Sequence, residues 1–208
     1  GDFAFLNCES LTKIDLNNVE IGNNAFDGCK SVTEVNLDNC TIGISAFFGL
    51  SSLETLTCKD TDIPDYAFYM NNSLKTVTIS GGEIGEGAFG ICDTLKEISI
   101  ANDVIGKLAF YSCKHLETID VDTAKISESA FALCDSLKNI KLGDELKIIE
   151  NSAFDKCSKL TEIVIPASVT SIDGYAFYDC SELKYIFFEG TETIGDTLVT
   201  NAKIHYGS

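Results

Sequence analysis

Nine cysteines, two histidines and a surplus of carboxylates are the residues of this chain with the means to do chemistry. Thiols at suitable spacing form disulfides, hold metals or act as nucleophiles, so their placement decides which. Seven of them fall on one site of a periodic pattern: Cys8, Cys29, Cys92, Cys113, Cys134, Cys157 and Cys180. Leu50 and Asn71 fill that site in the two remaining copies. A site that accepts Leu is not a metal-ligand position. Cys58 stands where Leu16 stands in its own copy, and Cys40 takes the place of Val19. All nine are therefore expected at inward-facing positions, as free thiols that pack like small apolar side chains. No CxxC pair occurs, and neither His115 nor His205 lies near a cysteine pair with zinc spacing. Neither a disulfide nor a bound metal is expected.

Other chemical-looking motifs dissolve into the same pattern. Gly85-Glu86-Gly87-Ala88-Phe89-Gly90 spells the glycine fingerprint of dinucleotide-binding folds, but its first Gly and its Phe are repeat positions and no βαβ unit surrounds it. Asp60, Asp62 and Asp65 bunch around Pro64 and suggest a calcium loop, yet the Gly and terminal Glu of such a loop are missing, which favours a solvated turn. His115 shares its site with Ser10, Ser31, Ser52, Ser73 and Ser136, so it reads as surface. Asn71-Asn72-Ser73 is a formal glycosylation sequon, meaningful only in a eukaryotic secretory setting. No nucleophile and base share a plausible site, so no catalysis and no cofactor are expected.

The elements that position these residues follow from the repeat. The phrase I-G-x-x-A-F-x-x-C-x-x-L-x-x-I-x-L runs the length of the chain in nine copies, with its Phe at 5, 26, 47, 68, 89, 110, 131, 154 and 177. The spacing is 21 residues up to Phe131 and 23 thereafter. A fixed period of this length marks a solenoid in which each unit contacts only its neighbours. Pairs such as Ile14/Leu16, Val77/Ile79 and Ile119/Val121 alternate with polar residues, the period of a half-buried strand. After a turn comes the Ile-Gly step, whose second site holds Gly22 and Gly43 but also Pro64, Ser127, Glu150 and Asp173. That range argues against a required positive φ, and Gly, Ser and Asp suit a helix N-cap. The pattern therefore predicts an α/β fold: a right-handed solenoid, one parallel concave sheet of eight to ten short strands, and short helical turns carrying A-F-x-x-C on the convex side. Ala at every copy implies a tight site. The Phe column is the expected spine, each ring contributing about 1.5–3 kcal/mol on burial.

Bulk properties narrow the partners. The chain carries a formal charge of −17 and has no arginine, which disfavours nucleic acid and anionic membranes. No apolar run reaches the roughly 20 residues of a membrane span. Gly1 falls on the repeat position of Gly22, so the chain is expected to begin inside a repeat and to be a piece of a longer protein.

The stretch Ile163-Val164-Ile165-Pro166-Ala167-Ser168-Val169-Thr170-Ser171-Ile172-Asp173-Gly174-Tyr175-Ala176-Phe177-Tyr178-Asp179-Cys180 closely resembles the BspA-type leucine-rich repeats, whose unit reads I-x-I-P-x-S-V-T-x-I-G-x-x-A-F-x-x-C. The resemblance extends over nearly the whole chain. The 21-residue copies depart from it by lacking two residues, including the Pro, in the turn after the strand. It implies an array of nine units over residues 1–189 with a closing segment at 190–208. It also implies a surface or secreted location, a role in adhesion and protein binding, and no catalytic residues to carry over.

On this reading the strand residues that face away from the core form a grid on the concave face. Its middle is hydroxyl-rich, with Thr55, Thr57, Thr76, Thr78 and Ser99. Its C-terminal end changes character, with Val164, Tyr185 and Phe187, and with His205 if residues 203–206 add a final strand. Exposed aromatics beside a polar sheet are candidate recognition anchors; the alternative is that the last turn or a downstream domain covers them. Two functions remain open: a surface module that binds a protein, such as a host extracellular protein, through this face, or a structural spacer that presents another domain.

Overall fold

The structure is a computed structural model and describes residues 1–101, 104–190, 198 and 201–206. Each coil opens with a strand of four or five residues: β1 (Lys13–Asn17), β3 (Glu34–Asp38), β5 (Thr55–Lys59), β6 (Thr76–Ser80), β7 (Glu97–Ala101), β9 (Thr118–Asp122), β11 (Asn139–Leu142), β13 (Glu162–Ile165) and β15 (Tyr185–Phe188). Two-residue strands follow in six of the coils: β2 (Glu20–Ile21), β4 (Thr41–Ile42), β8 (Val104–Ile105), β10 (Lys125–Ile126), β12 (Ile148–Ile149) and β14 (Ser171–Ile172). β16 (Lys203–Tyr206) is the last strand among the described residues. Every pairing is parallel and residue-for-residue, as in Ile14↔Val35, Val35↔Leu56 and Leu56↔Val77. This register lets each apolar column stay inside while its polar neighbours stay outside, because a slip of one residue would exchange the two faces.

The convex side departs from expectation. Among the described residues there is no helix; the A-F-x-x-C segments are turns. Residues four apart adopt positive φ in coil after coil, for example Ser45 and Gly49, Tyr66 and Met70, Leu108 and Ser112, and Ser129 and Leu133. Left-handed residues at this spacing cannot continue an α-helix. The backbone instead alternates its donors. Phe26, Phe47, Phe68, Phe89 and Phe110 each give their N–H to the Ala carbonyl of the next coil at 2.7–2.9 Å, while Ala46 and Cys29 bond three residues back within their own coil. Stacking thus satisfies groups that a helix would have satisfied locally. The Ile-Gly step does not need positive φ, since Gly22, Gly43, Gly85 and Gly106 do not adopt it.

The Phe column is the spine. From Phe5 to Phe177 adjacent rings stack with centroids 4.8–5.5 Å apart and planes within 1–8°. Rings in such contact add about 0.5–1.5 kcal/mol per pair beyond their burial. From Ala25 to Ala176 the Ala column beside it is closed to solvent, and its carbonyls receive the Phe ladder.

The cysteines show why that column prefers a small donor. Cys92, Cys113 and Cys134 direct Sγ at the carbonyls of Phe68, Phe89 and Phe110 in the preceding coil, at 3.4, 3.2 and 3.3 Å. Asn71 does the same work with its amide, donating to Phe47 O at 3.1 Å and Phe68 O at 2.7 Å. Asn71 is fully buried, so the acceptor Asn of the formal sequon is packed inside the core. Burial pushes the Cys113 thiol up to about 12, and those of Cys92, Cys134 and Cys157 also rise. One expectation fails: Cys8 is exposed, because its coil has a neighbour on one side only within this chain.

The glycine fingerprint also acquires a structural cause. The Tyr66 ring lies over Gly87 and the Tyr69 ring over Gly90; a Cβ at either glycine would come within 2.6 Å of the ring. Asp62 and Asp65 likewise serve the stack, their Oδ1 atoms accepting the N–H groups of Glu83 and Glu86 in the next coil.

The strands that open the coils do not form one sheet. Seven of them, β1 to β11, make one ladder, and β13, β15 and β16 make another. The first 23-residue coil, opened by β11, still pairs with the 21-residue coil of β9, and the break falls one coil later, between two 23-residue coils. Two residues separate β9 from β10, but five separate β11 from β12, and five separate β13 from β14. Leu146 and Val169 fill these wider turns. On the seam side Ile140 and Leu142 are only half-buried where Ile119 and Val121 are closed off. The second ladder continues through β10, β12 and β14, so the seam is confined to one face. Of the expected closing segment, residues 191–197, 199–200 and 207–208 lie outside the described residues.

Candidate protein-interaction surface

Strand alternation sets the site. In β15, Ile186 and Phe188 turn inward and are buried, which forces Tyr185 and Phe187 outward; each is 37% exposed. β16 pairs with β15 in the register Tyr185↔Lys203 and Phe187↔His205. Three rings then cluster: Tyr185 to Phe187 at 5.8 Å, Tyr185 to His205 at 5.8 Å, and Phe187 to His205 at 5.2 Å. Val164 lies beside Phe187 in register and is 45% exposed. The structure therefore brings Val164, Tyr185, Phe187 and His205 into one apolar patch.

Thr55, Thr57, Thr76 and Thr78 form a second group, two by two on β5 and β6, with Thr55 opposite Thr76 and Thr57 opposite Thr78. Ser99 extends the Thr57–Thr78 row onto β7. Strands β7, β9 and β11 and the seam separate this group from the aromatic patch.

Between and around the groups, lysines pair with carboxylates one coil away: Lys13 with Glu34 at 2.9 Å, Lys138 with Glu117 at 2.6 Å, and Lys141 with Asp120 at 2.9 Å. The Lys13 hydrogen bond, helped by Asn36, holds the Glu34 carboxyl below its ordinary range, and Lys138 does the same for Glu117. These exposed pairs neutralise the grid locally without making an acid–base couple. Among the described residues no group of three or more His, Cys, Asp or Glu side chains is placed to hold a metal ion. No helix of the described residues is long and apolar enough to cross a membrane. The seam and its half-buried Ile140 and Leu142 were missed in the sequence, although the change in Phe spacing from 21 to 23 residues marks their place.

Parallel strands stacked coil on coil, with apolar columns inside and a polar grid outside, define a leucine-rich repeat solenoid. A family model described as "BspA type Leucine rich repeat region (6 copies)" matches residues 1–117 and 103–206, and the chain belongs to that family. Among solved structures it is similar to a leucine-rich repeat protein from Bacteroides ovatus, at 22% identity and TM-score 0.53, covering 100% of this chain and 81% of that one. It is also similar to the T. pallidum leucine rich repeat protein, at 22% identity and TM-score 0.53, covering 68% of this chain and 71% of that one. A leucine rich cell surface protein from Faecalibacterium prausnitzii matches at 23% identity and TM-score 0.48, covering 100% and 82%. These identities speak to the fold alone. No curated protein sequence matches the chain.

Proposed function

We propose that this chain is a non-catalytic module of a cell-surface or secreted protein. On this proposal it binds a protein partner, such as a host extracellular protein, through its concave sheet face and above all through the aromatic C-terminal end of that face. The observation that carries the reading is the three-ring patch of Tyr185, Phe187 and His205 with Val164 beside it. The repeat does not require aromatics there: Glu97 and Ser99, Thr118 and Asp120, and Asn139 and Lys141 hold the matching positions in other coils. Rigid aromatic anchors clustered beside a polar rim are the usual centre of a protein–protein contact. The charge of −17 directs the choice toward a partner with basic groups and away from nucleic acid.

The double substitution Tyr185→Ser with Phe187→Ser tests this. Both side chains are outside the core, so the melting temperature should change little, while adhesion to host cells or matrix protein should weaken about tenfold or more. Unchanged adhesion would support the spacer reading. That reading has its own observation, the lysine–carboxylate pairs that leave much of the grid satisfied by itself.

A further inference from the structure

The seam between β11 and β13 exposes two strand edges to each other without a ladder between them. At the starts of β9 and β11 the chain bonds the coil before, although among the described residues Lys96 and Glu97 at the start of β7 make no such bond to Lys75 O. Glu117 and Thr118 both donate to Lys96 O at 2.8 and 3.2 Å, and Lys138 and Asn139 both donate to Glu117 O at 3.1 Å. Inward-parity residues bond the coil after, as Asn39 N–H does to Lys59 O and Asp60 N–H to Ser80 O. By that alternation the amides of Glu162 and Val164 point at β11, and those of Ile140 and Leu142 point at β13. Among the described residues Thr161 and Glu162 do not repeat the bond to Lys138 O that their counterparts make one coil earlier. Backbone groups in this condition are a template for another strand.

Three further features say what would cover the edge. A cleft of about 330 Å³ runs over three strands and takes in the seam, lined by Thr118 and Asp120 on β9, Ile140 and Lys141 on β11, and Glu162 and Val164 on β13. Ile140 in its lining is half-buried, as is Leu142 on the same side of β11. At the mouth Lys141 is held by Asp120, whereas Glu162 makes no ion pair among the described residues. The cleft also leads directly to the aromatic patch, since Val164 is in register with Phe187.

We propose that this seam receives an extended segment of a partner protein as an added β-strand, with apolar side chains over Ile140 and Leu142 and a basic side chain opposite Glu162. The inference rests on the concave-face reading above and specifies how that face takes hold of its partner. Backbone pairing supplies affinity in such augmentation, and the alternate side chains supply selectivity. Full insertion would need β11 and β13 to part to about 9.6 Å, two strand spacings. The unbroken ladder β10–β12–β14 on the adjoining face is the line about which they would open.

The test uses the whole chain and the synthetic peptide Lys-Val-Thr-Val-Thr-Val-Lys with blocked ends. Amide hydrogen exchange is read at Glu162 and Val164, with Phe187, inside the β13–β15 ladder, as the reference. In the free protein the first two should exchange at least about tenfold faster than the reference, and saturating peptide should slow them by about tenfold or more. Val164→Pro removes the seam-facing N–H and leaves the β13–β15 ladder in place, because proline is tolerated where the N–H has no ladder partner. It should weaken peptide binding about tenfold more than Val164→Ala does. Slow exchange at Glu162 and Val164 in the free protein would overturn the proposal, whether or not the proline variant folds. So would peptide binding that leaves those amides unchanged. If the peptide fails in this way while Tyr185→Ser with Phe187→Ser still abolishes adhesion, the seam proposal falls and the concave-face reading stands.

Discussion

The seven strands from β1 to β11 and the three from β13 to β16 are built from the same phrase, yet they behave as different surfaces. In the first block six of the seven coils are 21 residues long, the strands pair without a break, and the outer face is a grid of hydroxyls and paired charges. In the second the coils lengthen to 23 residues, the ladder breaks, and the outer face turns aromatic. The ladder survives the first change in coil length, at β9–β11, and breaks between the two longer coils that follow. The lesson is that a solenoid gains a distinct site by changing its period, without leaving its fold.

The largest expected effect lies within the regular block. Phe110 is stacked between Phe89 and Phe131 and fully buried, so Phe110→Ala should destabilise by about 3–5 kcal/mol. Lys107→Ala, which removes only an exposed pairing with Glu128, should change the stability by about 0.5 kcal/mol or less. Denaturant midpoints of the two variants measure the difference, and similar midpoints would mean that the rings are not the spine.

A closer comparison sets one block against its border. Ile119 and Ile140 are register partners, but Ile119 is closed to solvent and Ile140 is half-buried at the seam. Ile119→Ala should destabilise by about 2–5 kcal/mol, and Ile140→Ala by at least about 1 kcal/mol less. Equal losses would show the seam to be as tightly packed as the regular ladder.

The smallest effect concerns the thiols. Burial raises Cys113 from about 9 to about 12, so the folded state keeps its proton where the unfolded chain loses it. The stabilising contribution is fully present below pH 9 and is lost as pH rises from about 9 towards 12. By pH 10 this thiol should cost about 1.4 kcal/mol. Urea unfolding at pH 8 and pH 10 should therefore show a smaller pH loss for Cys113→Ala than for the unaltered chain, by about that amount. Identical pH losses would place the thiol in contact with water.

Much of this was legible in the sequence because the repeat shows each site nine times. Inward columns, parallel register and the outward placement of Tyr185 and Phe187 follow from alternation alone. The convex turns were not legible: x-x-A-F-x-x-C has helical spacing, and nothing local reveals that the Phe N–H bonds the next coil. Left-handed φ at residues as varied as Tyr66, Leu108 and Lys156 is imposed by stacking and not by residue type. Cys8 was misplaced because the period describes a coil with neighbours on both sides. The two 23-residue intervals mark the neighbourhood of the seam, but nothing in them shows that the ladder survives the first change in length and breaks one coil later.

The most direct test of the account compares two surface variants in one binding assay against host cells or matrix protein. One removes the patch, Tyr185→Ser with Phe187→Ser; the other reverses the character of the hydroxyl rows, Thr57→Lys with Thr78→Lys. Both should remain folded, since these four side chains lie on the outer face of the sheet. The account predicts that the patch variant loses about tenfold or more in affinity while the hydroxyl variant loses less. Binding that survives removal of the patch, or that depends more on Thr57 and Thr78, would contradict it.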